Sequence, residues 1–362
     1  MGEAMRIICG ISARNDAILR ITNTLQHLGH EAVLVSTDDF QDDCPYVWKK
    51  LDEFGFHYKR NQYIGERKRK IFSLLDSFRP DCILFINIAK HILFLKEMQQ
   101  AAKKTRIVTW FVDSVAKHLD ELDYIRCCHS VYVFERSDVD VLQAHGIRSS
   151  YCPVGYNCDY VRAAERPKED IDIAFVGSPF RNRLQILEQV AEYADDHALE
   201  MRVHGIYYDR RYFWKKFFFR RKYPHLARKV VNRYLASSEA ASLYQRTKIC
   251  LNIHAVQHRG MNPRSFEILA VGGFELMDRR DDYVDGMFPG KHFETYGSTE
   301  ELLGKIGFYL KEDAERRRIA EAGYAFTVGK MSIAKGLERI LDDLRGPAGN
   351  ASCGIWSINN MG

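Results

Sequence analysis

The run from Thr247 to Asp278, TKICLNIHAVQHRGMNPRSFEILAVGGFELMD, carries side chains suited to capturing a phosphorylated ligand. His254 leaves an apolar strand, and Arg259, Gly260 and Met261 follow in a basic, permissive loop. Asn262 is a good helix N-cap and Pro263 suits the first helical position. A helix starting there leaves the amides of Arg264 and Ser265 among its unpaired donors, an end that attracts anions. Glu267 stands one turn further in, where a carboxylate can take a ribose hydroxyl. A plainer alternative stays open, because Arg264 and Glu267 are three apart and such pairs form weak surface ion pairs.

These residues need elements to hold them. Ile249 to Ile253 predicts a buried strand, Phe266, Leu269 and Ala270 the inward face of the helix, and Gly272–Gly273 its stop before a second strand at Phe274 to Met277. Similar units recur along the chain. A first strand, Arg6 to Cys9, is expected to break at Gly10 into a helix over 14–28, and strands follow at 32–36, 82–86, 106–111 and 131–134. Their ends carry Asn87, Asp113 and Glu135, where open sheets bind ligands. A helix cap by Asp113 is the plainer role, and His118 reads as a surface residue. A charged, apolar-poor stretch from Val161 to Asp170 suits a linker. A second wound pattern begins at Asp172, passes Gly177-Ser178-Pro179 into a helix with Arg181 and Arg183, and continues through a strand at 201–204 to Gly205 and Tyr207.

With 362 residues, 46% of them hydrophobic, the chain can bury two cores, which excludes a disordered protein. A net charge of +5 favours acidic ligands such as nucleotides without demanding nucleic acid. The nine cysteines are scattered with no CxxC pair, as expected of a reduced, cytoplasmic protein, and neither a signal-peptide core nor a membrane span is expected. Phe213, Trp214, Phe217 and Phe218 share a helical face with Arg211, Lys215 and Lys222 along one side. Core packing is the first expectation there, and peripheral contact with an anionic membrane the second.

The order Asn262-Pro-Arg-Ser-Phe-Glu267-Ile-Leu-Ala-Val-Gly-Gly-Phe274, then Phe288-Pro289-Gly290, Tyr296 and two helical segments, resembles CgeB-like, spore-maturation-type glycosyltransferases of the GT-B "group one" superfamily. The resemblance runs from Ile171 to Leu344, with weaker echoes at Trp110-Phe-Val-Asp113 and Pro153-Val-Gly155-Tyr-Asn157. It implies an α/β fold of GT-B type, two doubly wound Rossmann-like domains facing a central cleft. The implied layout is an acceptor-side domain at 1–156, a linker at 157–170, a nucleotide-sugar domain at 171–330, a bracing helix at 331–346 and a mobile tail at 347–362.

By the same resemblance Glu267 binds the donor ribose, Arg181 or Arg183 faces the diphosphate with Ser178 beside it, and the Gly205–Tyr207 loop packs the nucleobase. The first loop, at Gly10, Ser12, Arg14 and Asp16, faces the cleft. Many relatives carry a second glutamate with seven residues between the two, and here that upstream slot is Arg259. Glu275 has the spacing but falls in the next strand, so Glu267 alone is expected to serve.

The implied activity is metal-independent sugar transfer from a UDP- or dTDP-sugar to a hydroxyl of a cell-envelope or spore-surface glycan, glycoprotein or lipid-linked sugar, with no cofactor. Arg183 and Arg264 would stabilise the departing diphosphate, and Asp113 would act as base if configuration inverts. A sugar-nucleotide epimerase and a non-catalytic envelope-assembly protein are the rival expectations.

Overall fold

A computed structural model describes residues 3–11, 16–36, 43–87, 94–209, 211–256 and 258–345. The chain divides into two compact units, one built from residues up to Val154 with the chain from Ile333, the other from Gly155–Ser332.

In the first unit, β1 (Arg6–Ile11), β2 (Glu31–Ser36), β3 (Cys82–Ile86), β4 (Arg106–Phe111), β5 (Ser130–Val133) and β6 (Ser150–Tyr151) form one parallel sheet in the order β2-β1-β3-β4-β5-β6. Helices α1 (Asp16–His27), α2 (Tyr46–Glu53), α3 (Tyr58–Phe78), α4 (Leu95–Ala101) and α5 (Arg136–Ala144) connect them, with short turns of helix at 115–125. Parallel strands covered on both faces read as unbroken apolar runs, and all five residues of β3 are buried.

The second unit repeats the plan. Its strands are β7 (Ile171–Val176), β8 (Met201–His204), β9 (Val230–Val231), β10 (Thr247–Asn252), β11 (Glu275–Asp278) and β12 (Glu294–Tyr296), in the parallel order β12-β11-β10-β7-β8-β9. Around them lie α6 (Arg181–Asp196), α7 (Phe213–Lys222), α8 (Ser237–Gln245), α9 (Pro263–Ala270), α10 (Thr299–Lys311) and α11 (Asp313–Thr327). The core runs through Phe175, Leu187, Leu251, Phe274 and Ile306, all 0–1% exposed. Ser298 caps α10 as expected, its hydroxyl accepting from the Glu301 amide at 3.1 Å.

Several expectations are corrected. The stretch 157–170 is no free linker: Asn157 and Tyr160 are buried in the second unit, where the Tyr160 ring stacks on Tyr244. Tyr160 supplies the apolar contact that the charged composition around it hides. The last helix, α12 (Ile333–Arg345), packs Leu337, Ile340 and Leu341 into the first unit's core beside Trp110. Gly336 lets that ring approach, since a Cβ there would lie 3.1 Å from it. Gly10 does not break β1, which pairs through it with Val35 and Phe85, so Gly10 is a buried strand position rather than a loop contact. Ser12, Arg14, the side chain of Asp16 and the stretch 347–362 lie outside the described residues. Finally α7 is not a core helix, because Phe219 is its one buried residue.

Candidate functional site

The carboxyl ends of β7, β8, β10, β11 and β12 bring most of the expected second-unit residues together. Asn252 closes β10 fully buried, and its side-chain amide donates to Asn262 Oδ1 at 3.0 Å and to Glu275 Oε1 at 2.8 Å. Asn262 returns a bond from Nδ2 to Asn252 Oδ1 at 3.1 Å. Asn262 therefore takes the N-cap backbone conformation of α9 without using its side chain as a cap. The Ser265 amide, expected to be open, donates to the Asn262 carbonyl at 3.1 Å, while the Ser265 hydroxyl donates to Glu275 Oε1 at 2.7 Å.

Glu275 thus lies under the start of α9, with no exposed surface and with Oε2 unpartnered among the described residues. Burial pushes its carboxyl up to about 7, against the bonds from Ser265 and Asn252. Glu267, one turn into α9, is only partly buried. Burial raises its pKa too, opposed by the Arg264 charge and the Tyr160 hydroxyl. Two carboxyls eight positions apart therefore occupy different layers, Glu275 wholly inside and Glu267 with surface to offer.

His254 is wholly buried and both ring nitrogens are engaged. The Asn262 amide donates to Nε2 at 3.2 Å, so the ring proton sits on Nδ1, which donates to Asp278 Oδ1 at 2.7 Å. Arg280 pairs with the other Asp278 oxygen and donates from Nη1 to the His258 carbonyl at 2.7 Å. Burial holds His254 below its ordinary pKa, with Asp278 opposing. Its side chain thus anchors the loop rather than presenting itself to a ligand, a correction to its expected binding role. Arg259 is exposed on the loop, and Gly260 and Met261 are buried where it returns to α9.

Arg183 and Arg264 converge. Arg183 is buried, donates from Nε to the Ile253 carbonyl at 2.7 Å and from Nη1 to the Ser178 carbonyl at 3.2 Å, and lies over the Phe180 ring at 4.8 Å. Burial, with the neighbouring Arg264 charge, pushes its pKa down to about 10, so it remains charged at neutral pH. Arg264 runs beside Gly177, where a Cβ would meet its Nη1 at 3.1 Å, and its Nε has no hydrogen-bond partner among the described residues. Gly205, at φ +149°, packs against the Gly177 carbonyl, which a Cβ would approach to 2.2 Å. Arg181 is exposed at the first position of α6.

Around this cationic pair two buried hydroxyls, Tyr207 Oη and Tyr296 Oη, have no hydrogen-bond partner among the described residues. Burial raises both pKa values, keeping them neutral donors, and the charges of Arg183 and Arg264 oppose the shift at Tyr207. An open depression of about 560 Å³ adjoins Tyr207, lined also by Ile206, Tyr208, Asp209, Arg211, Lys215 and Asn232. Asn232 Oδ1 accepts from the amides of Tyr207 and Tyr208 at 2.7 and 3.2 Å. Tyr160, Tyr296, Asn232 and Asn252 were not legible as site residues, because each reaches its place through pairing or packing remote in sequence. The only signal was the position of Asn252 and Tyr296 at strand ends.

In the first unit Asp113 follows β4 with both oxygens engaged, Oδ1 accepting from the Ser114 amide at 2.9 Å and Oδ2 from Lys117 Nζ at 2.5 Å. Beside it, the Asn87 side chain accepts from the Val112 amide at 2.8 Å. The His118 ring packs tilted against Phe111, at 5.3 Å between centroids and 52° between planes, rather than standing free at the surface.

The arrangement matches known proteins in shape. The chain has the GT-B fold. Over 94% of its length it superposes on 99% of a sucrose-phosphate synthase from Thermosynechococcus elongatus, with a TM-score of 0.69 and 12% identity. Against HepE of Anabaena in complex with UDP-glucose the values are 94% and 99%, 0.68 and 12%. A glycosyltransferase from Rickettsia africae ESF-5 gives 95% and 98%, 0.67 and 14%. A family model described as "Glycosyl transferase-like" matches residues 181–342, which holds every second-unit residue just described from Arg181 onward. No curated protein matches the chain in sequence.

Proposed function

We propose that this protein is a glycosyltransferase of CgeB-like type that moves a sugar, a hexose in our reading, from a nucleoside diphosphate sugar to a hydroxyl acceptor. The observation that carries this is the convergence of Arg183 and Arg264 with the unpartnered Tyr207 and Tyr296 hydroxyls at the ends of a parallel sheet. Cations and neutral donors together suit a diphosphate, and a preorganised cationic site stabilises the charge that develops as the sugar–phosphate bond breaks. These residues supply that stabilisation without a metal. The superposed HepE structure contains UDP-glucose, which supports a UDP-sugar here, with a dTDP-sugar as the variant of the same chemistry. In this reading the depression beside Tyr207 takes the nucleobase and Glu267 the ribose.

The acceptor is a hydroxyl on a cell-envelope glycan, glycoprotein or lipid-linked sugar. If configuration inverts, Asp113 takes the acceptor proton after leaving Lys117. Thermal shift against UDP, dTDP and their sugars tests the donor. A ligand at a hundred times its Kd stabilises by about 2.7 kcal/mol, and the absence of any shift with every nucleoside diphosphate overturns the reading. Conversion of the bound sugar without an acceptor would instead identify an epimerase.

A further inference from the structure

We propose that α7 docks the protein on anionic lipid bilayers. The helix reads FWKKFFFRRK, with five cations and no acid. Phe213, Trp214, Phe217 and Phe218 are 81, 46, 60 and 63% exposed. With about 100° between successive residues, these four rings span an arc of about 140° centred opposite Phe219. Phe219 is the anchor, packing against Tyr207, Tyr208 and Tyr223 at 5.5 to 5.9 Å between ring centroids.

The helix is therefore pinned by one side and presents the other, aromatic side outward. Arg220 and Lys222 border the aromatic arc and Arg221 lies within it, long side chains whose heads reach headgroup level while the rings enter the interface. Aromatic rings at such exposure are costly in water unless something covers them. The absence of any carboxylate in the helix selects an anionic surface, and the four exposed rings select one with an apolar interior over an acidic groove that would need only charge. The anchor residues Tyr207 and Tyr208 also line the depression, so the docked surface lies next to it. The docking stands without glycosyl transfer. Only its consequence, delivery to a membrane-borne acceptor, rests on the proposed function.

The test is co-sedimentation of the full chain with vesicles of phosphatidylcholine containing about a third phosphatidylglycerol, against phosphatidylcholine alone. We expect at least tenfold stronger partition to the anionic vesicles, lost at high salt as screening shortens to a few ångströms. Trp214→Phe should remove a blue shift in tryptophan emission that appears on binding. Phe217→Ser with Phe218→Ser should weaken partition at least tenfold while leaving circular dichroism and nucleotide-induced thermal shift unchanged. Failure to sediment at low salt, or sedimentation indifferent to those substitutions, overturns the proposal. So does a concentration-dependent dimer that the same substitutions abolish, since the rings would then cover a second copy.

Discussion

The ends of the two parallel sheets differ in how their polar groups are satisfied. At β4 the first unit closes its charges on itself: Asp113 is held by the Ser114 amide and Lys117, and Asp138 by Ser114 Oγ at 3.2 Å and the Val115 amide at 3.0 Å. At β7, β8, β10 and β12 the second unit does the opposite. Arg183 spends its bonds on carbonyls, and Arg264 Nε and the Tyr207 and Tyr296 hydroxyls have no hydrogen-bond partner among the described residues. Burying donors without acceptors costs stability; atoms without a partner among the described residues occur in both units, Thr109 Oγ1 in β4 included, and what sets the second unit apart is that two of them, the Tyr207 and Tyr296 hydroxyls, lie around a pair of arginines. The same topology therefore ends in an acid held by its near neighbours in one unit and in two neighbouring arginines in the other.

The largest expected effect comes from removing the cation at the centre of the open end. Arg183→Ala should cost about 3 kcal/mol or more, since two charged hydrogen bonds to carbonyls are lost, and should abolish nucleotide binding. Urea unfolding and calorimetry check this, and a variant of normal stability and affinity would show that Arg183 does not organise the site.

Next comes Glu275. Its folded pKa of about 7 stands above its unfolded value of 4.5, so its contribution is fully present below pH 4.5 and is lost as pH rises through about 7. The loss is on the order of 3 kcal/mol. Glu275→Gln imitates the protonated acid, so relative to the native chain it should gain most of that amount between pH 5 and pH 8. Parallel pH profiles in denaturant titrations would contradict the buried acid.

Glu267→Gln sharpens the distinction between the two carboxyls. It should weaken nucleoside diphosphate binding about tenfold to a hundredfold, the worth of one charged hydrogen bond, whereas Glu275→Gln at pH 6 should change it little. Equal losses by calorimetry would mean that the layering of the two glutamates does not decide which one meets the ligand.

The smallest effect belongs to the closed end. Asp113→Asn removes a half-exposed ion pair and should change stability by no more than about 1 kcal/mol, with nucleotide affinity unchanged. A large affinity loss would break the contrast between the two sheet ends.

What the sequence determined by itself was what depends on near neighbours. The apolar runs of β3, β4, β8 and β10, the Pro263 start of α9, the Gly272 stop at φ +74° and the Ser298 cap are all local chemistry, and all were legible. So was the place of Glu275 in the strand after the glycine pair, because the helix stop before it is local too. What only the tertiary structure decided depends on partners distant along the chain. Gly10 looked like a turn because glycine permits one, yet pairing on both sides keeps it in β1. His254 looked available until Asp278 and the Asn262 amide took both nitrogens. The aromatic run of α7 fits a core helix by composition, and only the packing of Phe219 alone, with the opposite face left in water, shows that no core was built over it. Periodicity says which residues share a face. What that face meets is set by elements far away in sequence, through contacts that no local pattern encodes.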